Sequence, residues 1–208
     1  FSDEIVKKFK FVQAKINGYT LSLKNNQSIY TDPSSNFGKY ALSISYAKEG
    51  YIYESLNLIN EIITIYPNNP YFYETKGEIL ISFGYSDEAN KFFRKSLDIN
   101  SSNDYLRIRI INYLFNNIDN NNAEKILNEF NSIKINTEKN NKLLNLIAKV
   151  YEFIDDRSSM YLYLSMIEIN KKNTELARRY LINAKNETND PKNLKKINEL
   201  NNKLNNDK

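Results

Sequence analysis

The sequence repeats itself at a constant offset, and this self-similarity restricts the fold more than any other feature. Residues 40–46 and the following Gly50 align with residues 74–80 and the following Gly84. A third copy, shifted again by the same offset, shares the apolar spacing. A fixed period of this length indicates an array of small units, each of which buries its apolar face against its neighbours.

Small and apolar residues recur where two helices of one unit would pack together. Gly77 lies where the first helix meets the second, and Ala89 takes the matching small position on the second helix. Gly84 occupies the turn between them, where a residue without a Cβ can adopt a positive φ. The positions that the pattern assigns to packing, turns and helix ends are Gly50, Pro67, Gly77, Gly84, Ala89, Phe93, Ala123, Ala148 and Ala177.

This pattern resembles the tetratricopeptide repeat, a helix–turn–helix unit of about 34 residues. The scarcity of glycine (5) and proline (4) also favours long helices over the frequent tight turns of an all-β fold. We therefore predict an all-α chain, folded as a right-handed α-solenoid of tetratricopeptide-like helix pairs with an additional helix at each end.

Three segments follow from the order of the motifs: residues 1–36, 37–189 and 190–208. The first is predicted to be an N-terminal helix and a linker, with Ser2 as N-cap. The apolar face of that helix carries Ile5, Phe9, Val12, Ile16 and Tyr19. The chain begins without a methionine or a secretory signal, so we interpret it as a piece of a longer or processed polypeptide.

The second and third segments contain the repeats and a terminal cap. From about residue 137 the repeat phase slips by three, and one helix near residues 160–167 is expected to serve two neighbours. Residues 190–208 are predicted to form a capping helix with a polar outer face, and residues 205–208 to fray.

Two residue types are absent, and their absence excludes several kinds of chemistry. Without cysteine there are no disulfides, thiolate metal sites or cysteine nucleophiles. Without histidine there is neither a zinc protease centre nor an imidazole-dependent triad. We therefore predict that the chain is not an enzyme and needs no cofactor or metal. An enzyme with an unusual carboxylate site is a remaining alternative.

Charge is dispersed along the chain, at a net +4 and a pI near 8.9. Lys192, Lys195 and Lys196 form only a modest basic cluster. Nucleic-acid binding usually needs a denser basic stripe, so it is not expected. No apolar stretch is long enough to span a membrane. Glu74 and Glu78, one helical turn apart, are interpreted as an acidic stripe on a solvated groove.

The first helices of the repeats are expected to line a groove that holds peptide segments of partner proteins. Tyrosine and arginine on this face would anchor a partner, because they bury a large area with few rotatable bonds. The candidate groove residues are Phe37, Tyr40, Lys48, Tyr71, Glu74, Glu78, Tyr105, Arg109, Asn112, Asn145 and Lys149. A clamp for a terminal carboxylate is excluded, since Tyr40 and Ile44 occupy positions that would need Lys and Asn.

The order of the segments resembles one family in particular. The chain is similar in three stretches to the C-terminal region of bacterial periplasmic zinc metalloproteases of the beta-barrel assembly-enhancing type. These stretches are residues 11–19, Asn69 to Gly77 (Asn-Pro-Tyr-Phe-Tyr-Glu-Thr-Lys-Gly), and residues 148–151 with 175–179. The resemblance implies a periplasmic location and contacts with a protease domain, unfolded outer-membrane proteins or assembly machinery. The alternative is a stand-alone scaffold that assembles partner proteins, and a cytoplasmic location is compatible with the sequence. The oligomeric state is left open.

Overall fold

In the computed structural model, residues 2–206 are described, and for Asn206 the backbone alone. Over this range the chain is all-α, with twelve helices and no strand. The helices are α1 (Asp3–Thr20), α2 (Leu23–Ile29), α3 (Asn36–Lys48), α4 (Ile52–Ile65), α5 (Pro70–Ser82), α6 (Ser86–Ile99), α7 (Asp104–Asn116), α8 (Asn120–Asn131), α9 (Asn141–Phe153), α10 (Arg157–Asn170), α11 (Thr174–Asn186) and α12 (Pro191–Asn206). None of these described helices is long and apolar enough to cross a membrane.

Helix starts follow the repeat period. The helices α3, α5 and α7 begin at Asn36, Pro70 and Asp104, and their partners α4, α6 and α8 begin at Ile52, Ser86 and Asn120. Within each series, the interval between successive starts is constant and equals the offset of the sequence repeat. The next helix, α9, begins at Asn141, three residues later than this interval would place it. The predicted three-residue slip is confirmed, and so is the all-α helix-pair fold.

The chain divides by packing into two compact units, Phe1–Leu106 and Arg107–Lys208, with the boundary inside α7. In the first unit, α3 packs against α1, α2, α4 and α5, and α5 pairs with α6. In the second unit, α10 packs against α9, α11 and α12. One helix thus serves several neighbours, as the overlapping motifs near residues 160–167 predicted. This division differs from the predicted three segments, which follow motif order.

Close packing inside each pair depends on the small residues of the repeat. A Cβ on Gly77 would collide with the ring of Phe93, which is itself buried. Ala89, Ala123 and Ala177 are fully buried. The helix axes can therefore approach closely, because backbone rather than side chain lies at the contact. Ala148 is buried on α9 in the same way.

Turns and helix ends have local causes. Gly50 and Gly84 have φ values of +88° and +83°, in the left-handed region that side chains disfavour. Pro67 follows the C-cap of α4 and cannot donate a backbone hydrogen bond. Several helices begin with a side-chain cap, for example Asn69 accepting from the backbone N–H of Tyr71. Other side-chain caps include Ser22, Ser35, Asn103, Asp119, Asn140, Asp156, Asn173 and Asp190.

The two ends of the chain differ from the sequence-based expectation. At the C-terminus α12 buries Ile197, Leu200 and Leu204 and is helical to Asn206, and the fraying of residues 205 and 206 stays a prediction. The predicted fraying of residues 207 and 208 falls outside the described part of the chain. At the N-terminus Ser2 is the N-cap of α1, but its side chain makes no capping hydrogen bond. The short helix α2 was not predicted.

Enlarging the small residues should destabilise the fold by overpacking. We expect Gly77→Leu and Ala89→Leu each to lower the free energy of unfolding by about 1–3 kcal/mol, because the neighbouring helix must shift. Urea denaturation followed by circular dichroism measures this loss. Lys91→Leu, on an exposed position of α6, is the control and should leave stability nearly unchanged. Equal losses for all three variants would contradict the packing role.

Candidate functional site

The N-terminal helix α1 lies directly on α3, and this contact shapes the first unit. Its buried residues are Phe11, Ala14 and Gly18. A Cβ on Gly18 would come within 2.8 Å of the Ala41 carbonyl oxygen and of the Ile44 Cβ. Only a glycine lets the two backbones approach this closely. The helix is therefore part of the repeat packing and not a separate linker element.

Phe11 anchors α1 in a cluster of aromatic rings. Its ring centroid lies 4.7 Å from that of Phe37, 5.0 Å from that of Phe72 and 5.3 Å from that of Tyr66. Tyr40 adds a further edge-on contact at 6.0 Å. Tilted and edge-to-face arrangements at such distances are favourable beyond their buried area. The aromatic cluster therefore binds α1 to α3, α5 and the α4–α5 turn.

Lys48 supports the other end of α1. Its Nζ donates hydrogen bonds to the carbonyl oxygens of Tyr19 (2.8 Å) and Leu21 (3.0 Å), with a longer contact of 3.4 Å to that of Gly18. These carbonyls at the end of α1 have no partner within their own helix, and a cation there also complements the helix dipole. Lys48 was predicted to face an open groove, and the structure corrects this placement.

Two further predicted groove residues are covered by α1. Tyr40 is buried, and its hydroxyl forms a 2.7 Å hydrogen bond with the Thr75 hydroxyl. Burial raises the pKa of Tyr40 well above that of a free tyrosine. Phe37 is half-buried against the ring of Phe11, and the Lys10 ammonium lies 5.6 Å from its ring centroid. The expectation that the Tyr40 and Phe37 rings are exposed is corrected, because α1 covers most of that face.

Glu74 and Glu78 on α5 form ion pairs and hydrogen bonds rather than facing solvent. Lys15 Nζ lies 3.5 Å from a carboxylate oxygen of Glu74 and 3.8 Å from one of Glu78. Tyr19 donates a 2.6 Å hydrogen bond to Glu78, while Asn103 contacts Glu74 at 3.4 Å. Desolvation, followed by the bond to Glu78, raises the pKa of Tyr19 above its ordinary range. The interpretation of Glu74 and Glu78 as a solvated stripe is therefore corrected.

An apolar groove of about 920 Å³ remains open between α1 and the start of α5. Phe11, Tyr40 and Phe72 line it, together with the α4–α5 turn. Tyr71 lines it as well and is 55% exposed. Its other lining residues are Lys8, Val12, Lys15, Ile16, Tyr66, Pro67, Asn68, Asn69, Pro70 and Glu74. Of the candidate residues in the first two repeats, Tyr71 is the one whose ring is mostly accessible.

The row of apolar residues predicted on α1 exists, but it faces outward. Ile5, Phe9, Val12, Ile16 and Tyr19 are between 43% and 66% exposed. The buried side of α1 instead consists of small residues and Phe11. Hydrophobicity alone could not tell these two faces apart, since both are apolar. The small residues Ala14 and Gly18 were the signal that marks the packed face.

The remaining candidate residues are found in both units. Tyr105 is exposed at the start of α7, in the first unit. In the second unit Arg109 is half-buried, and the Asn112 side chain donates to the Ile108 carbonyl at 2.8 Å. Asn145 and Lys149 are exposed on α9. Their participation in partner binding stays a prediction.

The second unit contains a smaller cavity of about 420 Å³. The stacked rings of Tyr151 and Tyr163 line it, as do Lys192 and Lys195. Lys196 is engaged with Glu138 at 3.1 Å. The modest basic cluster thus borders a cavity and does not form a continuous stripe. Among the described residues, no group of three or more acidic, histidine or cysteine side chains is placed to hold a metal ion.

Comparison with solved structures identifies the fold. MamA MSR-1 C2 aligns with a TM-score of 0.56 and 21% identity over 83% of this chain and 95% of that one. The C-terminal part of a tetratricopeptide repeat-containing protein from Cytophaga hutchinsonii aligns with a TM-score of 0.55 and 14% identity over 85% of this chain and 77% of that one. The chain therefore has the fold of tetratricopeptide-repeat proteins.

Comparisons of sequence give no closer relative. No family profile matches the chain, and no curated protein sequence matches it significantly. At identities of 14–21% the structural likeness concerns the fold alone.

The attachment of α1 can be tested with two phenylalanines that lie two positions apart. We expect Phe11→Ala to lower the free energy of unfolding by about 3–5 kcal/mol and to increase hydrogen exchange in α1, because it removes the centre of the aromatic cluster. Phe9→Ala is the matched control, since Phe9 is 66% exposed and should be nearly neutral. Comparable losses from both changes would show that the exposed row is packed in solution.

Proposed function

We propose that this chain is a non-catalytic protein-binding module that takes up a segment of a partner protein in the groove between α1 and α5. The observation that carries the proposal is the open apolar groove with Tyr71 at its edge. Its volume of about 920 Å³ is within the range of binding clefts and accommodates several apolar side chains. Tyrosine in such a position buries a large area at little entropic cost.

The polar surroundings of the groove support recognition of a protein segment. Lys8 and Lys15 border the apolar lining, as do Asn68 and Asn69. An apolar centre with a polar border is the usual composition of a protein–protein contact. The Glu74 carboxylate beside the groove is engaged with Lys15, so the groove does not present an uncompensated negative charge to a partner. The tetratricopeptide fold, with its stacked helix pairs, also supports a scaffold role.

A more specific role is proposed on the resemblance alone. The chain would be the docking and substrate-handling region of a periplasmic zinc metalloprotease that acts in outer-membrane protein quality control. Its partners would be the protease domain, unfolded outer-membrane proteins or assembly machinery, and its location the periplasm. The most specific motif, Asn69 to Gly77, has local structural causes as well, since Asn69 caps α5 and Gly77 packs against Phe93. A stand-alone scaffold is equally compatible with the fold.

The coding sequence upstream of Phe1 distinguishes these two roles. The metalloprotease role predicts a signal peptide followed by a domain with a His-Glu-x-x-His motif, because the chain itself has no histidine. Sequencing of the locus checks this. A start codon close to Phe1, or a different neighbouring domain, would leave the stand-alone scaffold as the proposal.

Groove binding can be tested by site-specific crosslinking in the native cell. A photoreactive phenylalanine analogue at Tyr71 should capture a defined protein, identified by mass spectrometry and then purified for binding measurements. The same analogue at Ile182, which is 59% exposed on α11, is the control. Tyr71→Ala should weaken the captured interaction without changing the melting temperature, because its ring is largely exposed. Capture at Ile182 equal to that at Tyr71 would disprove the groove assignment.

A further inference from the structure

The chain contains a single Asn-Gly pair, Asn17–Gly18, and it lies near the end of α1. The other glycines follow Phe37, Glu49, Lys76 and Phe83. In an Asn-Gly pair the glycine has no Cβ to shield its backbone nitrogen, so this nitrogen can attack the side-chain amide carbon of the asparagine. For this reason Asn-Gly is the sequence context in which asparagine deamidates most readily. A chemically labile pair is therefore built into the helix that packs on α3.

The packing of α1 explains why a glycine must follow Asn17. A Cβ at position 18 would come within 2.8 Å of the Ala41 carbonyl oxygen and of the Ile44 Cβ. Every other residue carries a Cβ and would push α1 away from α3. The close approach of the two helices thus requires Gly18, and with it the labile context of Asn17.

The folded helix keeps this pair unreactive. Both residues are within α1, and ring closure requires a rotation of the backbone at Asn17 that would break the helix there. The side-chain amide of Asn17 donates a 3.0 Å hydrogen bond to the Tyr30 hydroxyl. The backbone carbonyl oxygen of Asn17 accepts a 2.9 Å hydrogen bond from the Asn26 side chain. The reaction therefore requires this end of α1 to open first.

The position of the pair makes such an opening local. Only Tyr19 and Thr20 follow Gly18 within α1, so opening of the last turn is sufficient. Lys48 holds this turn, since its Nζ donates hydrogen bonds to the carbonyl oxygens of Tyr19 and Leu21. Helix ends open locally at a lower free-energy cost than the whole domain unfolds. The rate of deamidation then follows the fraction of molecules in which this end is open.

We propose that Asn17–Gly18 is a deamidation site at which opening of the end of α1 becomes a permanent covalent change. The Gly18 nitrogen bonds to Cγ of Asn17, the bond from Cγ to the amide nitrogen breaks, and ammonia leaves with the proton of the Gly18 N–H. Water then opens the resulting succinimide. Cleavage at the main-chain carbonyl of residue 17 leaves isoaspartate, and cleavage at the other carbonyl leaves aspartate. Water is the only other reactant.

Isoaspartate prevents the end of α1 from returning to its packed position. It adds one carbon atom to the main chain directly before Gly18, so Gly18 no longer lies opposite the Ala41 carbonyl. The Tyr19 hydroxyl, which donates a 2.6 Å hydrogen bond to Glu78, is displaced with it. Ile16, one of the groove-lining residues, belongs to the same turn of α1. The inference goes beyond the proposed function, because it concerns the attachment of α1 whether or not the groove holds a partner.

Ageing of the full chain in mildly alkaline buffer tests whether the fold controls the reaction. Peptide mapping by mass spectrometry measures the conversion of Asn17, and enzymatic methylation identifies isoaspartate. The folded chain should react at least about tenfold more slowly than the chain in urea, since only the open fraction reacts. Equal rates would overturn the proposal, and so would the absence of conversion in urea.

Variants then identify the opening that limits the reaction. Lys48→Ala removes the side chain that holds the end of α1, and it should raise the rate at least about fivefold. Lys48→Arg retains a donor and should stay near the rate of the unchanged chain. Lys91→Ala, at an exposed position on α6, is the control and should have no effect. Circular dichroism checks that each variant is folded.

Two results with these variants would contradict the proposal. The first is a rate for Lys48→Ala equal to that for Lys91→Ala. The second is an increase in Ala89→Leu as large as that in Lys48→Ala. Ala89 is buried between α5 and α6, away from the end of α1, so this result would show that unfolding of the whole unit sets the rate.

Hydrogen exchange tests the structural consequence. The isoaspartate form, separated from the aged chain by chromatography, should exchange faster over residues 17–22 than the unmodified chain. Asn17→Asp is the matched control, because it has a backbone of normal length and its carboxylate can accept a hydrogen bond from the Tyr30 hydroxyl. This variant should remain packed. An isoaspartate form as protected as the unmodified chain would overturn the proposal, as would equal release in Asn17→Asp.

Discussion

The contact between Gly77 on α5 and the ring of Phe93 on α6 is the constraint on which the repeat structure depends. A side chain at Gly77 would push the two helices apart, and the neighbouring pair would then have to adjust its position. The same logic applies where Ala89, Ala123 and Ala177 are fully buried. Helix starts at a constant interval from α3 to α8 are the consequence, because each pair must repeat the spacing of the previous one.

The close approach of the α1 and α3 backbones at Gly18 creates the groove between α1 and α5. It lets α1 lie on α3, with Phe11 in the aromatic cluster and Lys48 bound to the carbonyls at the end of the helix. Once α1 is there, Tyr40 is covered and Glu74 is paired with Lys15. The groove that remains is consequently narrower than the repeats alone would leave, and one of its sides belongs to α1.

The sequence was sufficient to predict the repeats because their signal is local and periodic. Gly77, Gly84 and Ala89 report the packing of neighbours that lie within one unit, so no distant contact is needed to interpret them. The site was harder to predict, because it depends on which of two apolar faces of α1 packs against α3. Lys48 and Tyr40 were misplaced for the same reason, since their partners lie on α1, about 30 residues earlier in the chain. The sequence next to Lys48 and Tyr40 does not indicate that α1 packs against them.

The division of roles between α1 and the repeats has an evolutionary consequence. The repeats hold the floor of the groove, and their residues are constrained because they also form the core. The outward apolar row of α1 (Ile5, Phe9, Val12 and Ile16), in contrast, is more than half exposed and contributes little to folding. Substitutions in this row can change the surface beside the groove without endangering the scaffold, whereas Phe11, Ala14 and Gly18 of the same helix are held by their packing.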